Sequence, residues 1–382
     1  MSIESLRIQG FRSLRDVTWK PGRLNVLIGP NGSGKSNLLQ ALDLLRVAAQ
    51  GNLSETIISQ GGARALLWDA REERISWDLT VTDEFLREPL AFQLVVRPLF
   101  YDFRVERESL QREDQVIFER APGKVLVYDR DREELRQAES LAFREISEKE
   151  SLLASDAWAI YEPRLLASDL KGWSVYHDFY VGKDAPLRQA AVARLEKHLS
   201  LDGQNLIPTL HTLYTGNRDF KRDVDSAMRA AFGEDYEELV FPPAADQRVQ
   251  LRIRWRSLKT EQSAANLSDG TLRFLMLLAI LANPEPAPLI AIDEPETGLH
   301  PRMFPIIAEF AEEAAEKTQI IFTTHSSQFL DAFKEEPPTT TVAQMVDGET
   351  RLSVLDGEEL GRWLKEYSLG YLFRSRELEG MA

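Results

Sequence analysis

The stretch LNVLIGPNGSGKSNLLQALDLL, residues 24–45, indicates the fold of this chain. An apolar run, Leu24–Ile28, predicts a buried strand, and apolar residues at helical spacing follow a glycine-rich loop. Gly29 to Ser36 match the phosphate-loop pattern G-x-x-x-x-G-K-S/T. Glycines permit the tight turn that points backbone amides at an anion, and the positive end of the following helix favours that anion. The stretch therefore predicts a nucleotide-binding unit of strand, loop and helix.

The side chains of this loop suit phosphate and metal chemistry. Lys35 can reach the β- and γ-phosphates of a nucleotide, and the Ser36 hydroxyl can ligate Mg²⁺. The other candidate nucleotide contacts in and after the loop are Asn31, Gly32, Ser33, Gly34 and Asn37. The loop alone does not say what the protein does with the nucleotide.

Composition limits the other possibilities. The 382 residues suffice for two or three domains, and 46 Lys and Arg against 61 Asp and Glu give a net charge of −15. This acidic balance argues against non-specific nucleic-acid binding by the whole surface, although a local basic groove stays possible. The chain has no cysteine, which excludes disulfides and thiolate zinc sites. No signal peptide or spanning segment is apparent, so we expect a cytoplasmic protein.

Three regions differ in their hydrophobic pattern. We predict that residues 1–130 hold the phosphate-loop unit and an antiparallel β lobe, because Ile75, Trp77, Leu79 and Val81 alternate with polar residues. Residues 131–240 are predicted to be mainly helical, and residues 241–382 to alternate helices with the strands of a largely parallel sheet. The residues taken to lie on two helices of residues 131–240 are Leu135, Ala138, Leu141 and Ala142 on one, and Leu187, Ala190, Ala191 and Leu195 on the other.

The segment RVQLRIRWRSLK, residues 248–259, has the alternation of a strand. Its apolar face would carry Val249, Leu251, Ile253 and Trp255, and its other face Arg248, Gln250, Arg252, Arg254 and Arg256. Such arginines could contact DNA phosphates, which would make binding sensitive to salt. A solvated strand face paired with nearby acids explains the same pattern.

Two further strands are predicted to end in chemically useful side chains. The apolar strand Leu289–Ile292 is followed by Asp293 and Glu294, which can hold Mg²⁺ and deprotonate an attacking water. A second apolar strand, Gln319–Phe322, leads to His325, which can sense the γ-phosphate from the carboxyl end of a parallel strand. A solvated acid pair and a structural histidine are the alternatives.

A third anion-binding element is predicted before the most apolar helix. Ser268 and Gly270, within NLSDGT, combine a capping serine and a glycine at a helix N-terminus. If the first loop already holds the phosphates of one nucleotide, this helix end can serve a different nucleotide. An ordinary helix cap is the alternative.

The motifs GPNGSGKS, LSDGT, IAIDEPETGLHP and TTHS, in this order, resemble those of ATP-binding-cassette (ABC) ATPases of the SMC/RecF class. They are most similar to the stand-alone AAA-type, RecF-like ATPases of bacterial genome-maintenance and anti-phage systems. The resemblance implies an α/β P-loop fold with a mixed sheet, an antiparallel β subdomain and a helical insertion. ATP, Mg²⁺ and ATP hydrolysis are implied with it.

The resemblance also implies roles for individual residues. Lys35 and Ser36 would bind phosphates and Mg²⁺, Asp293 would be the Walker B acid, Glu294 the catalytic base and His325 the switch histidine. Ser268 and Gly270 would form the signature motif, which contacts the γ-phosphate held by the opposing protomer. The loop Glu296–Leu299 would cross the dimer interface, and Gln60 would be the metal-sensing glutamine, although a simple SQGG turn explains Gln60 equally well.

The signature departs from the commoner LSGGQ form. Asp269 adds a negative charge where phosphate is expected, and Thr271 replaces glutamine, so dimerisation could be weakened or slowed. In the implied mechanism, ATP joins two chains head to tail and hydrolysis releases them.

The biological role has three alternatives. We expect a DNA-linked ATPase for repair or phage defence; the second possibility is a regulatory ATPase acting on a protein partner such as a nuclease, without DNA. A membrane-transporter cassette fits least well, because the large insertion and the ETGLHP stretch are unusual for that class. The segment after Lys334 is shorter than a nuclease domain, so we predict that this chain carries none.

Overall fold

The computed structural model describes residues 1–69, 72–84, 86–100, 102–129, 132–138, 143, 146–333, 337–355 and 357–381. The chain divides into two compact units. The first unit comprises Met1–Val175 and Thr339–Asp356, and the second comprises Tyr176–Pro338 and Gly357–Met381. None of the helices in these described ranges has the length and hydropathy that crossing a membrane requires.

The described strands and helices have the following bounds. The strands are β1 Ser2–Phe11, β2 Leu14–Trp19, β3 Leu24–Ile28, β4 Ile75–Thr82, β5 Leu90–Pro98, β6 Phe103–Arg112, β7 Gln115–Ala121, β8 Lys124–Asp129, β9 Glu134–Gln137, β10 Ser174–Tyr176, β11 Ala191–Val192, β12 Tyr236–Val240, β13 Pro243–Ala244, β14 Arg248–Val249, β15 Arg252–Trp255, β16 Gln262–Ser263, β17 Leu289–Asp293, β18 Gln319–Thr324, β19 Thr339–Val346 and β20 Glu349–Val354. The α-helices are α1 Lys35–Gln50, α2 Leu53–Ser59, α3 Tyr161–Gly172, α4 Leu206–Gly216, α5 Arg218–Phe232, α6 Asp269–Leu281, α7 Phe304–Ala315, α8 Ser327–Leu330, α9 Gly357–Trp363, α10 Leu369–Arg374 and α11 Glu377–Met381. Short 3₁₀ turns cover Ala63–Leu66, Leu152–Ala154, Pro186–Arg188, Ala264–Asn266 and Pro301–Met303.

An antiparallel sheet dominates the first unit, with strand order β2-β1-β4-β5-β6-β7-β8-β9. The alternation in β4 places Ile75, Trp77, Leu79 and Val81 in the core. The predicted antiparallel β lobe is therefore confirmed.

The strand–loop–helix unit also lies in the first unit. Strand β3 pairs in parallel with β19, and β19 pairs antiparallel with β20, so this part of the fold is mixed. The side chains of β3 are almost entirely buried, as expected for an interior strand. The predicted helix after the loop is α1, which ends at Gly51 in the left-handed conformation.

In the second unit, β17 and β18 form a parallel pair. Their register sets Asp293 beside Thr323, so the carboxyl ends of both strands lie side by side. Helix α6 begins after Ser268 and is buried on nearly all sides from Thr271 to Leu281, which explains its continuous apolar sequence.

Two expectations about the insertion are wrong. Leu135 lies in β9, not in a helix, while Leu141 and Ala142 lie outside the described residues. The second predicted helix is absent from the described segment 186–195. A 3₁₀ turn starts at Pro186, and Ala191 of β11 pairs with Val249 of β14. Arg188 and its neighbours instead serve contacts described below.

The arginine-rich segment is two short strands, not one. β14 pairs with β11 and β13, whereas β15 pairs with β12 and β16. The two residues between these strands bond to different segments. The Gln250 amide donates to the Pro242 carbonyl, and the Leu251 carbonyl accepts from the Ala264 amide. The predicted burial nevertheless holds for Val249, Leu251 and Ile253, which are buried.

Candidate functional site

In the phosphate loop, the side chain of Lys35 folds back onto the backbone of the loop. The buried Nζ atom of Lys35 donates to the carbonyl oxygens of Gly29 and Pro30, at 2.8 and 3.2 Å. The hydroxyl of Ser33 is buried and has no hydrogen-bond partner among the described residues. A buried hydroxyl without a partner is costly, and a phosphate oxygen would satisfy it. The loop residues Asn31, Gly32 and Ser36 are exposed.

A relay of three side chains holds the loop from behind. The Asn37 amide donates to Ser13 Oγ at 2.7 Å, Ser13 Oγ lies 2.7 Å from Thr350 Oγ1, and Thr350 Oγ1 donates to the Ser33 carbonyl at 3.0 Å. Each hydroxyl has one proton to donate. Since Thr350 donates to the Ser33 carbonyl, Ser13 donates to Thr350, and the donors run from Asn37 through Ser13 and Thr350 to Ser33. Sequence reasoning assigned Asn37 to the nucleotide and missed Ser13 and Thr350, which are too distant in sequence to be associated with the loop.

The relay leaves no room for a side chain at Gly34. A Cβ atom there would lie 2.0 Å from Thr350 Oγ1, and the residue has a φ of 97°, which favours glycine. Gly34 is therefore fixed both by its backbone conformation and by the closeness of Thr350. The side chain of Thr350, which supports the loop, therefore also requires a glycine at position 34.

Gln60 ends helix α2, and its side chain is engaged by an arginine. Arg12 Nη2 donates to Gln60 Oε1 at 3.2 Å. The Nε atom of Arg12 is buried without a hydrogen-bond partner in the described part of the chain, and burial lowers the pKa of this guanidinium. The assignment of Gln60 as a metal-sensing residue stays a prediction. Arg12 was missed, since it precedes the loop by many residues and matches no motif.

In the second unit, the two acids after β17 are fixed by the strand beside them. Thr323 Oγ1 donates to Asp293 Oδ1, and the amide of Glu294 donates to the Thr323 carbonyl at 3.1 Å. Glu294 has a φ of 47°, an uncommon left-handed conformation for this residue type. His325 Nδ1 lies 2.7 Å from Glu294 Oε1, so the structure brings the predicted base and switch histidine together.

The loop after the acids is partly buried. Glu296 accepts a hydrogen bond from Thr324 Oγ1, and its other oxygen is buried without a partner among the described residues. Burial raises the pKa of Glu296 above its ordinary value. Of the segment predicted to cross a dimer interface, only Thr297 and Gly298 are exposed, while Leu299 is buried like Glu296.

The signature segment begins helix α6. Ser268 caps this helix by accepting from the Thr271 amide at 3.1 Å, and its hydroxyl lies 2.7 Å from Thr271 Oγ1. Gly270 packs against the loop after β17: a Cβ atom on it would lie 2.6 Å from the Gly298 carbonyl oxygen. Within the second unit, the signature and the loop predicted to cross the interface are therefore in direct contact.

A cavity of about 220 Å³ opens beside the acids. Its polar lining includes Asp293 and Glu294 together with His177, Asp178 and Arg273. Arg273 Nη2 donates to Asp178 Oδ1 at 3.3 Å. Sequence reasoning missed His177 and Asp178, although they follow the short apolar strand β10, the same signal that identified Asp293 and His325.

A model of the family described as "AAA domain, putative AbiEii toxin, Type IV TA system" matches residues 24–331. The chain belongs to this AAA family. The match covers both the phosphate loop and the acids after β17, so the predicted P-loop ATPase of the RecF/SMC class is confirmed.

Individual relatives agree with this assignment. The chain is 24% identical to the OLD nuclease of Thermus scotoductus over 344 residues, 87% of this chain and 61% of that protein. It is 26% identical to the DNA replication and repair protein RecF of Pseudomonas paraeruginosa over 304 residues, 72% of this chain and 76% of RecF. The chain therefore spans less than two thirds of the OLD nuclease.

Solved structures confirm the fold. An Smc head bound to the C-winged helix domain of ScpA matches with a TM-score of 0.61 and 15% identity, over 94% of this chain and 100% of that one. The Smc head of Pyrococcus furiosus, bound to the C-terminal domain of ScpA, matches with a TM-score of 0.58 and 14% identity, over 95% and 98%. The predicted α/β fold of P-loop type is thus confirmed.

Proposed function

We propose that this chain binds ATP with Mg²⁺, dimerises head to tail around it and hydrolyses it. The observation that carries the proposal is the pair of Glu294 and His325, held 2.7 Å apart at the ends of two neighbouring strands. A carboxylate only accepts hydrogen bonds, so Nδ1 carries the proton and the histidine orients the base. The hydrogen bond from Thr323 to Asp293 fixes the neighbouring acid beside this pair.

The chemistry follows from these positions. Glu294 accepts a proton from the attacking water, whose oxygen forms a bond to the γ-phosphorus while the bond to the β–γ bridging oxygen breaks. Lys35 neutralises phosphate charge that develops on the leaving ADP. His325 orients Glu294, and its Nε2 atom accepts from the water.

The residues suit a magnesium ion. Ser36 and Asp293 would hold it, and it would supply charge neutralisation at the β- and γ-phosphates. Within the described residues, no group of three or more histidines and acids could hold a metal ion. This agrees with Mg²⁺ at a P-loop, where substrate phosphates and water supply most of the ligands.

The dimer is proposed from the motif set and from the contact between Gly270 and Gly298. Ser268 and Gly270 of one chain would contact the γ-phosphate held by the other, and the exposed Thr297 and Gly298 would lie against the partner. Because the two segments touch within one unit, closure around ATP would move the signature and this loop together. ATP would thus be bound between two chains and would hold them together.

The substitution Lys35→Ala tests the nucleotide assignment. Loss of a buried cation that pairs with phosphate should weaken ATP binding at least about 30-fold. The exposed Lys20, in the same unit, gives the control Lys20→Ala, which should bind like the unsubstituted protein. Binding is measured with a fluorescent ATP analogue, and unchanged affinity of the Lys35 variant would refute the assignment of the loop.

For the biological role we propose DNA repair or maintenance, or anti-phage defence, in keeping with the similarity to RecF and to an OLD nuclease. The arginine-rich segment is only partly neutralised within the chain. Arg254 pairs with Glu238 and Glu261, and Arg256 lies 3.8 Å from Glu234. Arg248 and Arg252 instead donate to neutral oxygens, of Ala190 and Gln250. The two paired charges would release few counterions on DNA.

The pairing of Arg254 and Arg256 with acids favours the second candidate, a regulatory ATPase that acts on a protein partner such as a nuclease. The two candidates differ in one measurement, the ATPase rate with and without duplex DNA at low salt. Stimulation by DNA that declines steeply with added salt supports the DNA-linked role. A rate indifferent to DNA supports the protein-partner role.

A further inference from the structure

The signature motif of this chain carries an acid at an unfavourable position. Asp269 is the first residue of α6, and its side chain is 66% exposed. A carboxylate stabilises the N-terminus of a helix, but it also cancels the positive potential that would attract a second anion there. If the signature is to receive a triphosphate, this charge has to be compensated.

Arg188 is the compensating group. Its Nη2 atom donates to Asp269 Oδ1, while its own side chain is only 6% exposed. The pair places a buried cation directly behind an exposed carboxylate. The negative charge at the mouth of the signature is therefore neutralised from inside the unit, without a partner chain.

The same guanidinium also organises the turn that leads into the signature. Nη1 donates to the carbonyl oxygens of Leu267 at 2.7 Å and Ala264 at 3.3 Å. Nε donates to the carbonyls of Val181 and Gly182, at 2.9 and 3.0 Å. Carbonyls at the end of a helical turn favour a cation, so one arginine ties the turn from Ala264 to Leu267 to the segment of Val181 and Gly182.

We infer that Arg188 is a positioning residue that makes this signature competent to bind the γ-phosphate of ATP held by a second chain. It does so by neutralising Asp269 and by fixing the turn before Ser268. The inference rests on the proposed ATP-dependent dimer. Arg188 need not touch ATP, so it should not affect nucleotide binding by a single chain.

The test uses the full chain with the substitution Glu294→Gln, which should prevent ATP hydrolysis and so keep the dimer from dissociating. Dimerisation in ATP and Mg²⁺ is followed by sedimentation velocity over a range of protein concentrations. Adding Arg188→Gln should weaken dimerisation about tenfold or more, because it exposes the partner's phosphate to the charge of Asp269. Binding of a fluorescent ATP analogue to the monomer should stay within about twofold.

Two further variants separate charge from folding. Asp269→Asn keeps an acceptor for Arg188 but removes the negative charge, so it should tighten the dimer alone and restore most of the loss in Arg188→Gln. Arg120→Gln is the matched control, since Arg120 is also buried and donates to the carbonyls of Ser147 and Glu150 in the first unit. This control should lower the melting temperature without changing the dimer.

The outcomes are distinguishable. If the Glu294→Gln parent does not dimerise, the proposed function fails and the inference fails with it. If the parent dimerises and Arg188→Gln dimerises equally well, or Asp269→Asn does not relieve its defect, the role of Arg188 is refuted. Should Arg188→Gln fail to fold, Asp269→Asn alone decides: a dimer weaker than the parent's overturns the inference.

Discussion

The Nδ1 atom of His325 lies 2.7 Å from Oε1 of Glu294, and both residues follow strands that pair in parallel. The register of β17 and β18 brings Asp293 beside Thr323, so Glu294 and His325, one and two residues further along their strands, lie at the same edge of the sheet. Glu294 adopts its left-handed conformation with its amide bonded to the Thr323 carbonyl. The histidine therefore holds one carboxylate oxygen of the proposed base, and Thr297 Oγ1 donates to the other, Oε2, at 3.5 Å.

Replacing this histidine should slow chemistry without affecting binding. We expect His325→Ala to lower kcat for ATP about 100-fold, since a misdirected base loses much of the benefit of general-base catalysis. The Kd for ATP, measured with a fluorescent analogue, should change less than about threefold. His211→Ala, in the same unit, is the control, and a His325 variant with full turnover would show that the pair has no catalytic part.

The relay behind the phosphate loop predicts a different effect. Thr350→Val keeps the shape of the side chain but removes the hydroxyl that donates to the Ser33 carbonyl. Loss of such hydrogen bonds costs about 0.5–1.5 kcal/mol each, so the Kd for ATP should rise roughly threefold to tenfold. Thr350→Ser retains the hydroxyl and should bind ATP almost normally. Equal affinities of the two variants would contradict a supporting role of the relay.

Burial of Glu296 predicts a pH dependence of stability. Its pKa is raised in the folded chain by burial, so the folded state keeps a proton that the unfolded state has lost. The contribution of this carboxyl to the free energy of unfolding is therefore complete below its ordinary pKa and is lost as pH rises through the folded-state pKa.

Glu296→Gln removes this titration while keeping an acceptor for Thr324. Its free energy of unfolding should exceed that of the unsubstituted chain at a pH above the folded-state pKa of Glu296, and the difference should vanish in acid. Urea unfolding over a pH series measures it. Glu296→Ala, which also removes the acceptor, separates the hydrogen bond from the titration, and a difference independent of pH would contradict the prediction.

Much of this arrangement is readable from local sequence, because strand–loop–helix units and strand-end acids are set by short-range patterns. The loop with Lys35 and Ser36 needs only glycine spacing between an apolar strand and a helix. Asp293 and His325 are found because apolar strands end immediately before them. The antiparallel lobe follows equally from alternation in strands such as Ile75–Thr82.

The missed features depend on contacts between distant segments. Thr350 reaches the phosphate loop only because β20 pairs with β19, which pairs with β3. Arg188 lies in a stretch with helical spacing, yet its guanidinium is surrounded by carbonyls, and Pro186 starts a 3₁₀ turn there instead. At Arg188, tertiary contacts override the local propensity for a helix.

The dimer is the central claim, and the Glu294→Gln variant tests it most directly. Without the base, ATP stays intact, so the variant should elute from a size-exclusion column with light-scattering detection at twice the mass of one chain in ATP and Mg²⁺. It should return to the mass of one chain when ATP is replaced by ADP. A monomer in saturating ATP, from a variant that demonstrably binds the nucleotide, would contradict the account.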